Sequence, residues 1–129
     1  TIMFNNGRDN YGVKVGREVT ANLTDVKIMG TGGQGKGVWM ESSQTLNMTD
    51  VRISKVEKAM LMNGAGTLVM TKVNISGVKM GVEAMGGNLT ISGNSVITFK
   101  NEAGNYGVKV GREVTMASLT DVTITGTGS

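Results

Sequence analysis

Tyr11–Thr20 reads YGVKVGREVT, and Tyr106–Thr115 reads YGVKVGREVT again, ten identities in ten. The match extends outward. Asn22–Val26 (NLTDV) corresponds to Ser118–Val122 (SLTDV), and Ile2-Met3-Phe4 before the first copy corresponds to Ile97-Thr98-Phe99 before the second. A unit of about 95 residues therefore recurs, and such self-similarity is the signature of a repeat architecture.

A shorter period lies inside that unit. Rows begin at Gly12-Val13, Gly37-Val38, Ala59-Met60, Gly81-Val82 and Gly107-Val108, at spacings of 25, 22, 22 and 26 residues. Each start is followed by a loop and two further apolar-polar-apolar triplets around a two-residue corner. Row one has Ala21-Asn22-Leu23, Thr24-Asp25 and Val26-Lys27-Ile28; row two has Leu46-Asn47-Met48, Thr49-Asp50 and Val51-Arg52-Ile53. Row three has Leu68-Val69-Met70, Thr71-Lys72 and Val73-Asn74-Ile75, and row five ends with Thr120-Asp121 and Val122-Thr123-Ile124. Row four, Leu89-Thr90-Ile91 and then Val96, is offset by small insertions. Alternation with period two is the pattern of a strand with one buried face. Strands this short cannot stand alone, so each row must borrow pairing and burial from its neighbours.

These features predict an all-β chain: a right-handed parallel β-helix of about five coils of 22–26 residues, starting near residues 12, 37, 59, 81 and 107. Five inward columns are expected. They are Val13/Val38/Met60/Val82/Val108, Val15/Met40/Met62/Ala84/Val110, Leu23/Met48/Met70/Ile91/Leu119, Val26/Val51/Val73/Val96/Val122 and Ile28/Ile53/Ile75/Ile124. At a strand spacing of ~4.8 Å the stack is roughly 25 Å tall. The glycines at 30, 32, 33, 35, 64, 66, 86, 87, 126 and 128 are expected at corners, supplying positive φ. A β-sandwich with turns every 8–12 residues is the other all-β option, and it leaves the column-by-column match unexplained.

Composition agrees. The chain has 129 residues, 20 of them Gly, with no Pro and no Cys, and aromatics are 4%. Val, Thr and ten Met take their place, and Met fills irregular gaps between columns of unequal width. Pro would remove a ladder donor in every coil. Without Cys there is no disulfide scaffold or thiolate metal site. Without His there is no imidazole general base, Ser-His-Asp triad or zinc-His centre. A net charge of +3 with dispersed basic residues does not argue for nucleic acid. No catalytic residue, cofactor or metal is expected, and no apolar run is long enough to span a membrane as a helix.

The motifs have competing readings. The Thr-Asp corners stack carboxylates, as a calcium site or a glycosidase pair would. Thr and Asp equally bond to backbone at turns, and Lys72 breaks the column, so the turn reading is preferred. The sequons at Asn22, Asn47, Asn74 and Asn88 recur because the strand recurs. Asn6-Gly7-Arg8-Asp9 reads as a solvated corner. Gly30–Lys36 is a long Gly-rich corner that lacks the ending of a phosphate loop. Trp39 lies between inward Val38 and Met40, so it points outward as a contact anchor. Lys36, Arg52, Lys55 and Lys58 join it as candidate partner contacts; the outward charges read either as a shallow basic face suited to anionic cell-surface sugars or, the preferred reading, as a mixed solvated surface. The loops at 5–10, 30–36, 54–58 and 100–105 are the expected binding positions.

LTISGNSVITF at Leu89–Phe99, the GVKVG rows and the LTDVxI strands resemble the passenger domains of Bartonella autotransporters, the type V secreted surface proteins. The BafA-like proangiogenic passengers and the CAMP-like factor autotransporters are two kinds of member. The resemblance covers essentially the whole chain. It implies an upstream signal peptide and a downstream membrane β-barrel, neither of them in this sequence, and hence a segment excised from a longer passenger. It also implies display at the bacterial outer-membrane surface or secretion, and contact with a host-cell surface receptor or glycan, with antibodies as further partners. A passive spacer is the alternative, and a carbohydrate-active β-helix enzyme is a more distant one.

Overall fold

A computed structural model describes residues 2–3, 11–31 and 35–127. The predicted corner at 6–9 and the glycines at 32, 33 and 128 lie outside the described residues. Every regular element among those described is a β-strand, and every strand pair is parallel. The chain is a parallel β-solenoid of about five coils.

Strand β1 (Ile2–Met3) precedes the first full coil. Coil one holds β2 (Tyr11–Val15), β3 (Ala21–Thr24) and β4 (Lys27–Met29). Coil two holds β5 (Lys36–Met40), β6 (Thr45–Thr49) and β7 (Arg52–Ser54). Coil three holds β8 (Lys58–Met62), β9 (Thr67–Thr71) and β10 (Asn74–Val78). In coil four the first two strands fuse into β11 (Met80–Ser92), followed by β12 (Ser95–Lys100). Coil five repeats the fusion in β13 (Tyr106–Leu119), followed by β14 (Val122–Thr127). One sheet stacks β1-β4-β7-β10-β12-β14. The other carries β2-β5-β8-β11 and β3-β6-β9-β11, with β13 on the far side of β11.

The columns form as the alternation dictates. Val13 pairs with Val38, Val38 with Met60, Met60 with Val82 and Val82 with Val108. The Val15 and Leu23 columns follow the same register. A further column, Ala21/Leu46/Leu68/Leu89/Ala117, runs beside them. Its three leucines are fully buried. The core is a narrow rod of Val, Ile, Leu and Met between the two sheets.

The structure corrects two expectations. Val96 does not join the Val26/Val51/Val73 column. Asn74 pairs with Val96 and Ile75 with Ile97, so Val96 continues the outward Arg52/Asn74 row and Ile97 fills the isoleucine column. Ser95 takes the vacated inward place opposite Val122. It is buried, and its hydroxyl accepts from Val73 N–H (3.0 Å) and donates to Ser92 C=O (2.8 Å). A buried hydroxyl is tolerated because both bonds are made.

The second correction concerns the corners. Of the seven predicted corner glycines that lie in the described residues, only Gly35 and Gly87 have positive φ. Gly66 is required for a different reason: a Cβ there would sit 2.2 Å from the Gln44 carbonyl oxygen of the coil beneath. The sheet-to-sheet corners are instead made by one left-handed residue per coil: Asp25 (φ 55°), Asp50 (54°), Lys72 (54°), Asn94 (63°) and Asp121 (55°). Asp and Asn reach this region at little cost because their short side chains bond locally. Lys has no such compensation.

Leu68→Ala is expected to cost about 2–5 kcal/mol, because Leu68 is sealed between Leu46 and Leu89. Leu119→Ala, at a partly exposed site, is expected to cost less than about 1 kcal/mol. Equilibrium urea unfolding of both variants checks the contrast. Lys72→Asn is expected to stabilise by a few tenths of a kcal/mol, up to about 1, read as a higher urea midpoint at unchanged slope.

Candidate functional site

The outer face of the β2-β5-β8-β11-β13 sheet carries the densest chemistry. Strand pairing places Tyr11 beside Lys36, and Lys36 beside Lys58. The adjacent outward row runs Lys14, Trp39, Leu61, Glu83 and Lys109. These rows are outward because Val13, Val15, Val38 and Met40 point in.

Trp39 is the centre of the cluster. Its ring meets Tyr11 edge to face, with centroids 5.9 Å apart and planes at 83°. Lys14 Nζ lies 5.0 Å and Lys36 Nζ 5.2 Å from the Trp39 centroid. Two ammonium groups on one indole are a doubled cation–π contact. Lys14 also reaches Glu41 at 3.2 Å. Trp39 points outward as the alternation predicts, yet it is half-buried under these neighbours rather than free. Among the described residues its Nε1 is buried without a hydrogen-bond partner.

A second knot lies two coils up. Lys58 bridges to Glu83, and both side chains are only 16% exposed. Burial pushes the Glu83 carboxyl up; the Lys58 ammonium, the Tyr106 hydroxyl and Lys109 outweigh it and hold the group below its ordinary value. The Tyr106 hydroxyl is pushed well above its usual range by burial and by Glu83. Lys109 Nζ stands 5.7 Å from the Tyr106 ring, as Lys14 stands 5.9 Å from Tyr11, so the repeated decapeptide makes the same contact twice.

The five predicted contacts divide between two faces. Trp39, Lys36 and Lys58 share the sheet just described, and Lys58 is engaged by Glu83. Arg52 belongs to the opposite sheet, between Lys27 and Asn74, and Lys55 is a left-handed corner residue (φ 57°) just beyond it. Sequence reasoning missed Tyr11, Glu41, Glu83 and Tyr106 as members of the cluster. Their signal is vertical: partners one coil apart, 23–28 residues away in sequence, close to the row spacings.

Arg52 lines a groove of about 440 Å³ with Asp25, Asp50, Lys72, Asn74 and Asn94. Its floor is the corner column. Asp25 N–H donates to Thr49 C=O (3.0 Å), Asp50 N–H to Thr71 C=O (3.1 Å) and Lys72 N–H to Ser92 C=O (3.3 Å). These residues therefore turn the chain, and their column runs Asp25, Asp50, Lys72 and Asn94, two carboxylates followed by one cation. Among the described residues no three potential ligands converge as a metal site requires. The sequon asparagines Asn22 and Asn47 form a ladder, Asn47 Nδ2 donating to Asn22 Oδ1 at 2.9 Å. Comparison with protein-family models, with curated proteins and with solved structures finds no match for this chain.

The depressed Glu83 carboxyl fixes a pH dependence. The folded state holds the ionised form better than the unfolded chain does. That contribution is present in full above the ordinary carboxyl value of 4.5. It is lost as pH falls through the lower folded value. Glu83→Gln is expected to lower the Tm at pH 7 and to narrow the gap to the unsubstituted chain towards pH 3, checked by thermal melts across that range.

Proposed function

We propose that this chain is a rigid segment of a type V secreted passenger, displayed at a bacterial surface or released from it. In this reading it meets host cells through the aromatic and cationic face centred on Trp39. The partner class is a host-surface receptor bearing an anionic glycan. One observation carries the proposal: Lys14 and Lys36 both stand over the Trp39 ring, 5.0 and 5.2 Å from its centre, beside Tyr11. An aromatic face accepts the apolar face of a sugar, while ammonium groups accept its carboxylates or sulfates. The scaffold suits display, because side chains on stacked strands are held more precisely than side chains on loops.

The groove beside Arg52 supports catalysis less well. Its carboxylates lie beside Arg52 and Lys72 and serve the corner itself. A spacer role asks nothing of the Trp39 cluster and leaves its unpartnered Nε1 without a purpose.

Labelled folded chain is expected to bind endothelial cells and erythrocytes saturably in flow cytometry. Binding is expected to weaken with salt and to be competed by a sulfated polysaccharide. Lys14→Gln with Lys36→Gln is expected to reduce it at least fivefold while Tm changes little. Trp39→Phe is expected to give a smaller loss, because Phe keeps an aromatic face with a weaker quadrupole. Binding no greater than that of an unrelated solenoid would overturn the reading and favour the spacer.

A further inference from the structure

We propose that Asn63-Gly64 is a self-modification site, at which the folded chain converts its own asparagine to aspartyl and isoaspartyl residues with water as the only co-reactant. Asparagine is one of the thermolabile residues. Its labile step is attack on the side-chain amide carbon by the backbone nitrogen of the next residue. That step needs a free amide, a free N–H and little bulk at the next position. Vertical pairing denies these conditions to the other asparagines among the described residues. Asn22, Asn47, Asn74 and Asn88 stand in strands, and so do the residues that follow them. Asn47 is also tied to Asn22. Ser95, after Asn94, opens β12 and is buried. Glu102, after Asn101, donates its N–H to Lys100 C=O (3.0 Å), and the Asn105 amide donates to the same carbonyl (3.0 Å).

The bend at 63–66 is different. Strand β8 pairs with β11 as far as Met62 on Ala84, and β9 resumes the pairing at Thr67 on Asn88. Residues 63–66 of coil three thus face only 85–87 of coil four, and the ladder lapses between them. Asn63 N–H is held from below by Met40 C=O (2.7 Å). Asn63 itself is exposed, and neither its side-chain amide nor the Gly64 N–H bonds to any described residue. Glycine is enforced at 64, because a Cβ there would sit 2.6 Å from the Ser42 carbonyl oxygen of coil two. The stacking that shapes the bend therefore also leaves the attacking nitrogen unhindered. Asn6-Gly7, the other such pair in the chain, lies outside the described residues.

Gly64 N bonds to Asn63 Cγ as it gives up its proton, the Cγ–Nδ2 bond breaks, and ammonia leaves with that proton. Water then opens the succinimide ring, and nothing is oxidised or reduced. Opening at Cγ gives aspartate. Opening at the Asn63 backbone carbonyl gives isoaspartate, with one extra carbon in the main chain. Either product puts a carboxylate into a depression of about 250 Å³ that Asn63 and Gly64 share with Met85, Gly86 and Glu113. Like charge then faces Glu113 across the stack of coils three to five and opposes it. The isoaspartyl carbon adds to the strain, because it enters the chain between the buried Met62 and the crowded Gly64.

The test ages the folded chain in neutral buffer and maps it by peptide mass spectrometry, with isoaspartyl-specific methyltransferase labelling of the products. Asn63 is expected to convert at least about tenfold faster than Asn94, Asn101 and Asn105, and within about tenfold of its own rate in urea-unfolded chain, as an unclamped bend allows. Asn63→Gln, which would need a larger ring, is expected to abolish labelling at this position. Asn63→Asp is expected to lower the Tm, the aged isoaspartyl fraction to lower it further, and Glu113→Gln added to Asn63→Asp to recover most of the first loss. Conversion at Asn63 no faster than at the other three, or confined to the unfolded chain, overturns the proposal. A Tm unmoved by conversion overturns the consequence drawn for the stack.

Discussion

The structure depends on vertical backbone pairing at a fixed register. No strand in coils one to three exceeds five residues, too short to be stable alone. Each instead donates to and accepts from the coils on both sides, so a residue's environment is set by what lies 22–28 positions away. Once Val38 lies on Val13, Met40 must lie on Val15 and Trp39 on Lys14. Core, surface and charge pattern all follow from that one alignment. Length differences between rows are absorbed at loops and bulges, as where β11 and β13 shift register between Ala84 and Asn88.

The alternation made the inward columns legible, because period two and a 22-residue repeat together name both face and neighbour. It failed where an insertion and a strand had to be placed in the same row. Residue type predicts Val96 inward, yet the corner at Gly93-Asn94 ends one residue earlier and turns Ser95 inward instead. A short polar residue in a core column is invisible to a hydrophobic pattern until its two hydrogen bonds are seen. The corners depart from the glycine pattern for a related reason. Glycine is the usual marker of positive φ, but Asp, Asn and even Lys occupy it here because the ladder on both sides fixes the turn.

The repeated decapeptide shows how far context reaches. In both copies the YGVKV half is extended, with its Lys over its Tyr. The GREVT half forms a turn in coil one, where Val19 N–H donates to Gly16 C=O, and is part of a continuous strand in coil five. Identical local propensity thus yields two conformations. Coil one is met from above by Ser42 and Ser43 of coil two, whereas coil five rests on an uninterrupted strand from below. The cluster around Trp39 depends on neighbours in the same way. Trp39 has its character from Lys14, one coil away, and Lys58 from Glu83.

The methionines give the rod a record of its own history. Met40, Met48, Met60, Met62 and Met70 are sealed inside the middle coils, while Met3, Met85 and Met116 lie at the surface. Oxidation to the sulfoxide makes the thioether polar and needs access to peroxide. The surface sulfurs would react at once, whereas a buried sulfur would react only when its coil parts from the next. Once oxidised, it would resist repacking. Under a peroxide challenge, damage would therefore spread inward from the least covered coil, one layer at a time, leaving a chemical gradient along the solenoid axis.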